Sequence, residues 1–238
     1  MIFRRKLLLA AAVLSGLIIC LVGPAAAIMS WDAAADFSPT SNPTGPWGYG
    51  WSTTLTSTVN PYIINFTEPV SGFQFWNINS GLNDYVPGVW KNPSASSVSW
   101  GTLIVPGSAL AFHPGYYDQY SHVVWTAAAA GNYAVNATFT GIDNYFGGTD
   151  VHIYANGSSQ YSGNVANGYG QYVSESFSVY VPVNGTIDFA VGYGSDGNYS
   201  YDSTQLAATI TAIPLPPTAL LLGSGMLGLG LLRFRRKT

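Results

Sequence analysis

Charge is the scarcest feature of this 238-residue chain. Only 8% of its residues are Asp, Glu, Lys or Arg, against about 25% in an ordinary globular protein. Positive charge is scarcer still away from the ends. Arg4, Arg5 and Lys6 open the chain, Arg233, Arg235, Arg236 and Lys237 close it, and Lys91 stands alone among eleven acids running from Asp32 to Asp202. So anionic a middle repels phosphate backbones and anionic lipid, which excludes nucleic-acid binding. The one cysteine, Cys20, lies in the first apolar run, where Ile19 precedes it instead of the small residue a lipoprotein would need. The middle therefore has no disulfide, thiolate zinc site or cysteine nucleophile. Histidine is limited to His113, His122 and His152, none in metalloprotease spacing. There is no G-x-S-x-G elbow, P-loop or dinucleotide fingerprint. Sustained helical periodicity is missing from everything but the two ends.

Those ends have a plain logic. The triplet RRK at 4–6 leads into LLLAAAVLSGLIICLV and then GPAAA, with Ala25 and Ala27 at the −3 and −1 positions of a signal-peptidase site. Basic, apolar and small-residue regions in that order predict a signal peptide over 1–27; a retained N-terminal anchor is the alternative. Residues 218–232, TALLLGSGMLGLGLL, precede RFRRKT. Fifteen helical residues reach about 22 Å, short of the roughly 30 Å hydrocarbon core. Gly223, Gly225, Gly228 and Gly230 weaken the run further as a permanent span. Lys/Arg flanks stay cytoplasmic, so both ends predict export of 28–212.

The closing stretch IPLPPTALLLGSGMLGLGLLRFRRKT resembles the sorting tail of PEP-CTERM proteins, exported by Gram-negative bacteria that make exopolysaccharide. In that family a short proline motif precedes a glycine-containing apolar helix and a basic end. Here the motif would be Pro214, Leu215, Pro216 and Pro217, without the family's glutamate, followed by Arg233, Arg235, Arg236 and Lys237. A plain C-terminal anchor is the alternative. The resemblance implies signal peptidase and an exosortase-type enzyme as processing partners, with transient inner-membrane anchoring through a sorting segment at 213–238. It also implies delivery to the cell surface, outer envelope or extracellular matrix. WDAAADFSPTSNP, HPG with YSHVVWTAAAAGNY, and TIDFAVGYGSDGNYSYDST resemble a recurring ectodomain of the same family, whose members are expected to be jelly rolls.

The middle reads as β throughout. Strands are predicted at YIINF from Tyr62, GFQFWN from Gly72, YSHVVWTA from Tyr120 and NYAVNATFTGI from Asn132. TDVHIYA from Thr149, QYVSESFSVYV from Gln171, GTIDFAVGY from Gly185 and QLAATITAI from Gln205 follow. Tyr133, Val135, Ala137 and Phe139 alternate with polar or small neighbours, the period of a strand with one buried face. Asn156-Gly157 and Asn184-Gly185 are tight-turn signals. The expected fold class is all-β, a single jelly-roll-like β-sandwich flanked by an N-terminal signal helix and a short C-terminal sorting helix. From Trp31 to Trp51 the chain predicts a first strand followed by an ordered covering loop. A separate subdomain over 28–105 is the less favoured division.

Three kinds of chemistry have residues to carry them. Hydrolysis of glycans needs paired carboxylates; Asp118, Glu175 and Asp188 are candidates, though Asp188 alternates with apolar Ile187 and Phe189 and reads as a solvated strand residue. Serine is plentiful enough for a Ser-His-Asp triad, but no motif points to one. Calcium suits hard oxygen ligands on loops, and Asp143 with Asp150, then Asp196, Asn198 and Asp202, lie on two such loops; turn preference alone accounts for the same residues. No cofactor is required, and calcium is the one the residues favour. Aromatic rings flanked by amides and hydroxyls bind neutral sugars. Trp47, Tyr49 and Trp51, then Tyr116, Tyr117 and Tyr120, then Tyr199 and Tyr201, are the candidate stacking residues, while Trp76 and Trp125 read as core. Asn65, Asn136, Asn156, Asn184 and Asn198 begin Asn-X-Ser/Thr triplets that so Asn- and Ser-rich a chain produces by chance. His113 reads as a turn stabiliser. The residues thus predict a non-catalytic exported protein engaging polysaccharide, with a purely structural envelope or biofilm component, or a glycan hydrolase, as alternatives.

Overall fold

The computed structural model describes residues 28–78 and 85–214. Both expected flanking helices fall outside them, with Ala25, Ala27, Leu215, Pro216, Pro217, Arg233, Arg235, Arg236 and Lys237. Among the described residues no helix is long and apolar enough to cross a membrane.

Met29–Ile213 forms one compact unit. Its first part contributes β1 (Ser30–Asp32), β2 (Trp47–Ser52), β3 (Asn60–Pro61), β4 (Ile64–Thr67), β5 (Gln74–Asn77) and β6 (Gly88–Lys91). A hairpin of β7 (Val98–Trp100) and β8 (Leu103–Val105) precedes β9 (Leu110–His113) and β10 (Tyr120–Thr126). The remaining strands are β11 (Gly131–Gly141), β12 (Thr149–Ala155), β13 (Ser158–Val165), β14 (Tyr172–Val181), β15 (Thr186–Val191) and β16 (Thr204–Ile213).

The described residues are all-β, a sandwich of antiparallel sheets. One sheet runs β14-β11-β16-β9-β6-β5-β4, with β1 added along β16; the other runs β13-β12-β15-β10-β2-β3. The period-two alternation explains what lies between them. Tyr133, Val135, Ala137 and Phe139 of β11, with Leu206, Ala208 and Ile210 of β16, face Val123 and Trp125 of β10 and Ile187, Phe189 and Val191 of β15 in one buried cluster. Trp76 and Trp125 are core, as their strand contexts predict.

The covering loop ends sooner than expected. Trp47–Ser52 is a strand between β10 and β3, with Trp47 paired to Trp125. Trp47 and Tyr49 point into the core and are buried, and half-buried Trp51 packs against it, which removes Trp47 and Tyr49 as sugar-stacking residues and turns Trp51 toward the interior. Glycine hides this strand from a propensity reading. It is needed at Gly50, where a Cβ would run into the backbone of Asn60 on β3.

Turn chemistry behaves as its residues dictate. Asn156 and Gly157 both take positive φ, 51° and 76°, the tight turn that joins β12 to β13. Asn184 instead takes φ 61° in a turn closed by Gly185 N–H donating to Pro182 O, and carries the chain from β14 across to β15 in the other sheet.

The outer face of the first sheet has a second, smaller core. Phe75, Trp90 and Ala111 point outward from β5, β6 and β9 and are covered by Leu103 and Val105 of the β7–β8 hairpin, with Ile142. This added layer creates the cleft described next.

Candidate functional site

Backbone pairing brings three loops to one end of the sandwich. Beyond the last β11–β16 register pair, Gly141 with Thr204, the ladder continues one step: Ile142 N–H donates to Ser203 O at 3.0 Å. On its other side the same segment bonds the hairpin, Ile104 N–H to Ile142 O and Asn144 N–H to Thr102 O. The chain around Asp143 is therefore held between the hairpin and the residues that lead into β16.

Under the hairpin lies a cleft of about 420 Å³, within the roughly 300–1,000 Å³ typical of small-molecule sites. Its rings include Trp90, Trp100, His113, Tyr199 and Tyr201; its polar groups include Thr102, Asp143, Ser200 and Ser203. Trp90 stacks on Phe75, ring centroids 5.2 Å apart, and its buried Nε1–H has no hydrogen-bond partner. A buried donor left unsatisfied costs about 1–3 kcal/mol, so a ligand acceptor reaching Trp90 would be rewarded. From Trp90 the rings continue outward: His113 at 6.5 Å, then Tyr199 at 6.2 Å, Tyr116 at 5.0 Å and Tyr117 at 4.8 Å. Exposed Tyr145 lies against Tyr201 at 5.4 Å. Of the predicted stacking residues, Tyr199 and Tyr201 line the cleft, and Tyr116 and Tyr117 continue the row of rings outward from Tyr199. His113 Nδ1–H donates to Pro114 O at 2.7 Å, the predicted turn role. Trp90 and Trp100 were not legible as site residues, because their short strands carry no alternation long enough to show which way each ring points.

Beside the cleft the predicted acids meet. Asp202 is fully buried, and neither carboxylate oxygen has a hydrogen-bond donor. Burial, then the charges of Asp196, Asp150 and Asp143, push its carboxyl up to about 8. Each of those three neighbours accepts from at least one protein donor. Asp143 receives Thr102 Oγ1–H at 2.9 Å and Tyr145 N–H at 3.0 Å; burial outweighs these bonds and raises its carboxyl. Asp150 receives Gly194 N–H at 2.7 Å and His152 Nε2–H at 2.8 Å. Burial alone would raise Asp150, but these bonds outweigh it and hold the carboxyl below its usual range. Asp196 Oδ1 receives Asn198 N–H at 3.0 Å. Asn198 itself is exposed and caps Ser200 N–H with its Oδ1, so it serves the turn and not the cluster. Among the described residues, no three His, Cys, Asp or Glu side chains already surround one point as a ready ligand set.

A different constellation escaped sequence reading altogether. On the outer face of the second sheet, His122 Nδ1 lies 3.0 Å from both Asp188 oxygens and its Nε2 lies 2.7 Å from Ser52 Oγ. Asp188 is therefore not a solvated strand residue; its carboxylate holds a buried imidazole. The arrangement has the order of a Ser-His-Asp triad, yet Ser52 is fully buried and its hydroxyl also reaches Thr54 O at 2.8 Å. In this conformation the chain of bonds ties β2, β10 and β15 together and presents no nucleophile. The other carboxylates weighed for hydrolysis face elsewhere, Asp118 toward Tyr193 and Glu175 toward Tyr161.

No protein-family model matches this chain, and no curated protein does either. Solved structures with similar strand arrangements include the CBM51-2 and INT domains of Clostridium perfringens ZmpB in complex with GlcNAc, at 16% identity over 49% of this chain, with a TM-score of 0.33. This chain spans 23% of that protein's length. A CBM51 from Clostridium perfringens GH95 in complex with methyl-galactose has 12% identity over 52% of this chain and 87% of its own, TM-score 0.34. A cyclase from Fischerella sp. TAU has 8% identity over 64% of this chain and 90% of its own, TM-score 0.36. Similarity at this level fixes neither family nor ligand.

Proposed function

We propose that this is an exported, non-catalytic protein of the cell surface or extracellular matrix whose jelly-roll-like sandwich binds a neutral polysaccharide in the cleft beneath the β7–β8 hairpin. Export rests on the charge pattern of the chain ends: a signal peptide cleaved after Ala27 and a PEP-CTERM-like tail handled by an exosortase-type enzyme. Binding rests above all on one observation, a cleft walled by the rings of Trp90, Trp100, Tyr199 and Tyr201; the Trp90 Nε1–H, unpartnered and shielded from solvent, gains an acceptor where ligand binding draws the ring toward the cleft. A pyranose offers an apolar face for the rings and hydroxyls for the indole, Thr102, Ser200 and Asp143, a combination water fills poorly. With almost no long charged side chains in the exported part, the fitting ligand is an uncharged sugar.

The test is a glycan array probed with the purified chain, followed by titration of any retained oligosaccharide. Trp90→Phe keeps a ring against Phe75 but deletes the donor, and is expected to weaken binding about tenfold, the equivalent of about 1.4 kcal/mol. A uniformly negative array, or a Trp90→Phe variant that binds like the parent, overturns the reading.

A further inference from the structure

We propose that Asp202 and Asp196 hold a divalent cation of the calcium class at the end of the sandwich where β11, β12 and β16 meet, whether or not a sugar occupies the neighbouring cleft. The two acids do not contribute alike. Asp143 and Asp150 have both carboxylate oxygens on protein donors, and Asp196 has one. Asp202 alone has both oxygens free of any donor while being fully enclosed. A carboxylate in that position needs a positive partner, and the only Lys or Arg among the described residues, Lys91, donates its amine to Ala34 O.

Room for an ion is set by Gly147. A Cβ placed there would stand 3.3 Å from Asp196 Oδ2 and 3.6 Å from Asp202 Oδ1. The missing side chain thus opens a small space that oxygens of both carboxylates border. Two acid side chains are enough for calcium, which completes a shell of six to eight oxygens with main-chain carbonyls and water in flexible geometry; magnesium demands a tighter octahedron. The spacing Asp196 to Asp202 on one loop, with Asp143 and Asp150 behind, gives the ion a net negative surround that a neutral or anionic ligand would not find.

The experiment uses the full-length chain in detergent, stripped with EGTA and titrated with calcium chloride alone, followed by thermal unfolding and calorimetry with no sugar present. Saturating calcium is expected to raise Tm by about 5 °C or more, and magnesium at equal concentration to give less than a tenth of the affinity. Asp202→Asn should abolish the calcium response while melting, without calcium, at or above the parent, because a buried carboxyl without a donor and beside three other acids has gone. Gly147→Ala retains every acid but fills the shared space, and should weaken calcium binding at least tenfold. Asp196→Asn, at an exposed position, should lose affinity without loss of fold. An unchanged Tm for the parent, an intact calcium response in Asp202→Asn, unaltered affinity in Gly147→Ala, or equal affinity for magnesium would each overturn the proposal.

Discussion

Removing the Asp188 carboxylate should destabilise this protein although the residue lies on an outer sheet face. His122 is 1% exposed, and its two ring nitrogens rest on Asp188 and Ser52 at 3.0 and 2.7 Å. Asp188→Ala leaves one ring nitrogen without a partner whichever tautomer the imidazole adopts. An orphaned buried polar group costs about 1–3 kcal/mol, and for a domain of this size each kcal/mol moves Tm by about 2–4 °C. The expected fall is therefore roughly 2–12 °C, toward the lower half because the Asp188 side chain is 15% exposed and water can reach part of the gap. Asp188→Asn keeps an oxygen acceptor for Nδ1–H and should lose less than the alanine variant. Urea unfolding monitored by tryptophan fluorescence measures both, with an unchanged m-value expected if only the bond is lost. Combining Asp188→Ala with Ser52→Ala should reveal coupling of about 0.5–3 kcal/mol, since both act on one imidazole. An Asp188→Ala protein within about 0.3 kcal/mol of the parent, with no coupling to Ser52, would refute the claim that this chain of bonds holds β2, β10 and β15 together.

Two further outcomes follow from burial and hydrogen bonding. Trp47→Ala should cost about 3–5 kcal/mol as a core truncation, whereas Tyr117→Ala, at a side chain 78% exposed, should leave urea stability within about 0.5 kcal/mol while weakening any sugar binding at the cleft mouth. Similar losses for both would contradict the placement of the two rings. Glu68 accepts from Val70 N–H, Ser71 N–H and Ser71 Oγ–H. Burial opposes ionisation, but these bonds prevail and hold its carboxyl below the ordinary range. Its contribution is thus complete above the unfolded-state pKa and disappears as pH falls through the folded one. Tm measured from about pH 6 to about pH 3 should fall less steeply in Glu68→Gln than in the parent, and parallel curves would count against the bonds.

How far the sequence alone reached differs from element to element, and the reason is physical. The long strands β10, β11, β12, β14, β15 and β16 declared themselves because seven or more residues alternate, or because β-branched and aromatic residues cluster between turn formers. Asp143 and Asp150, and separately Asp196 and Asp202, were recognisable as acids on two candidate calcium loops, since glycine- and aspartate-rich loops advertise both turns and hard ligands; that the two loops meet was not. Their unequal roles were not: only the pairing of β11 with β16 decides that Asp202 is enclosed without a donor while Asp143 and Asp150 are satisfied.

The absence of thiol chemistry and the β character of the middle were properties of the amino-acid sequence by itself, because they depend on composition and local period; the proposal of export likewise rests on charge order alone. Which rings are core and which are surface was not, as Trp47 and Tyr49 against Tyr199 and Tyr201 demonstrate. Local composition around all four is similar, and only the partner strand determines where each ring points. The cleft walled by Trp90 and Trp100, and the Ser52–His122–Asp188 chain, join residues from 10 to 136 positions apart in the sequence. Such contacts exist only once strands distant along the chain lie side by side, so tertiary structure alone could create them.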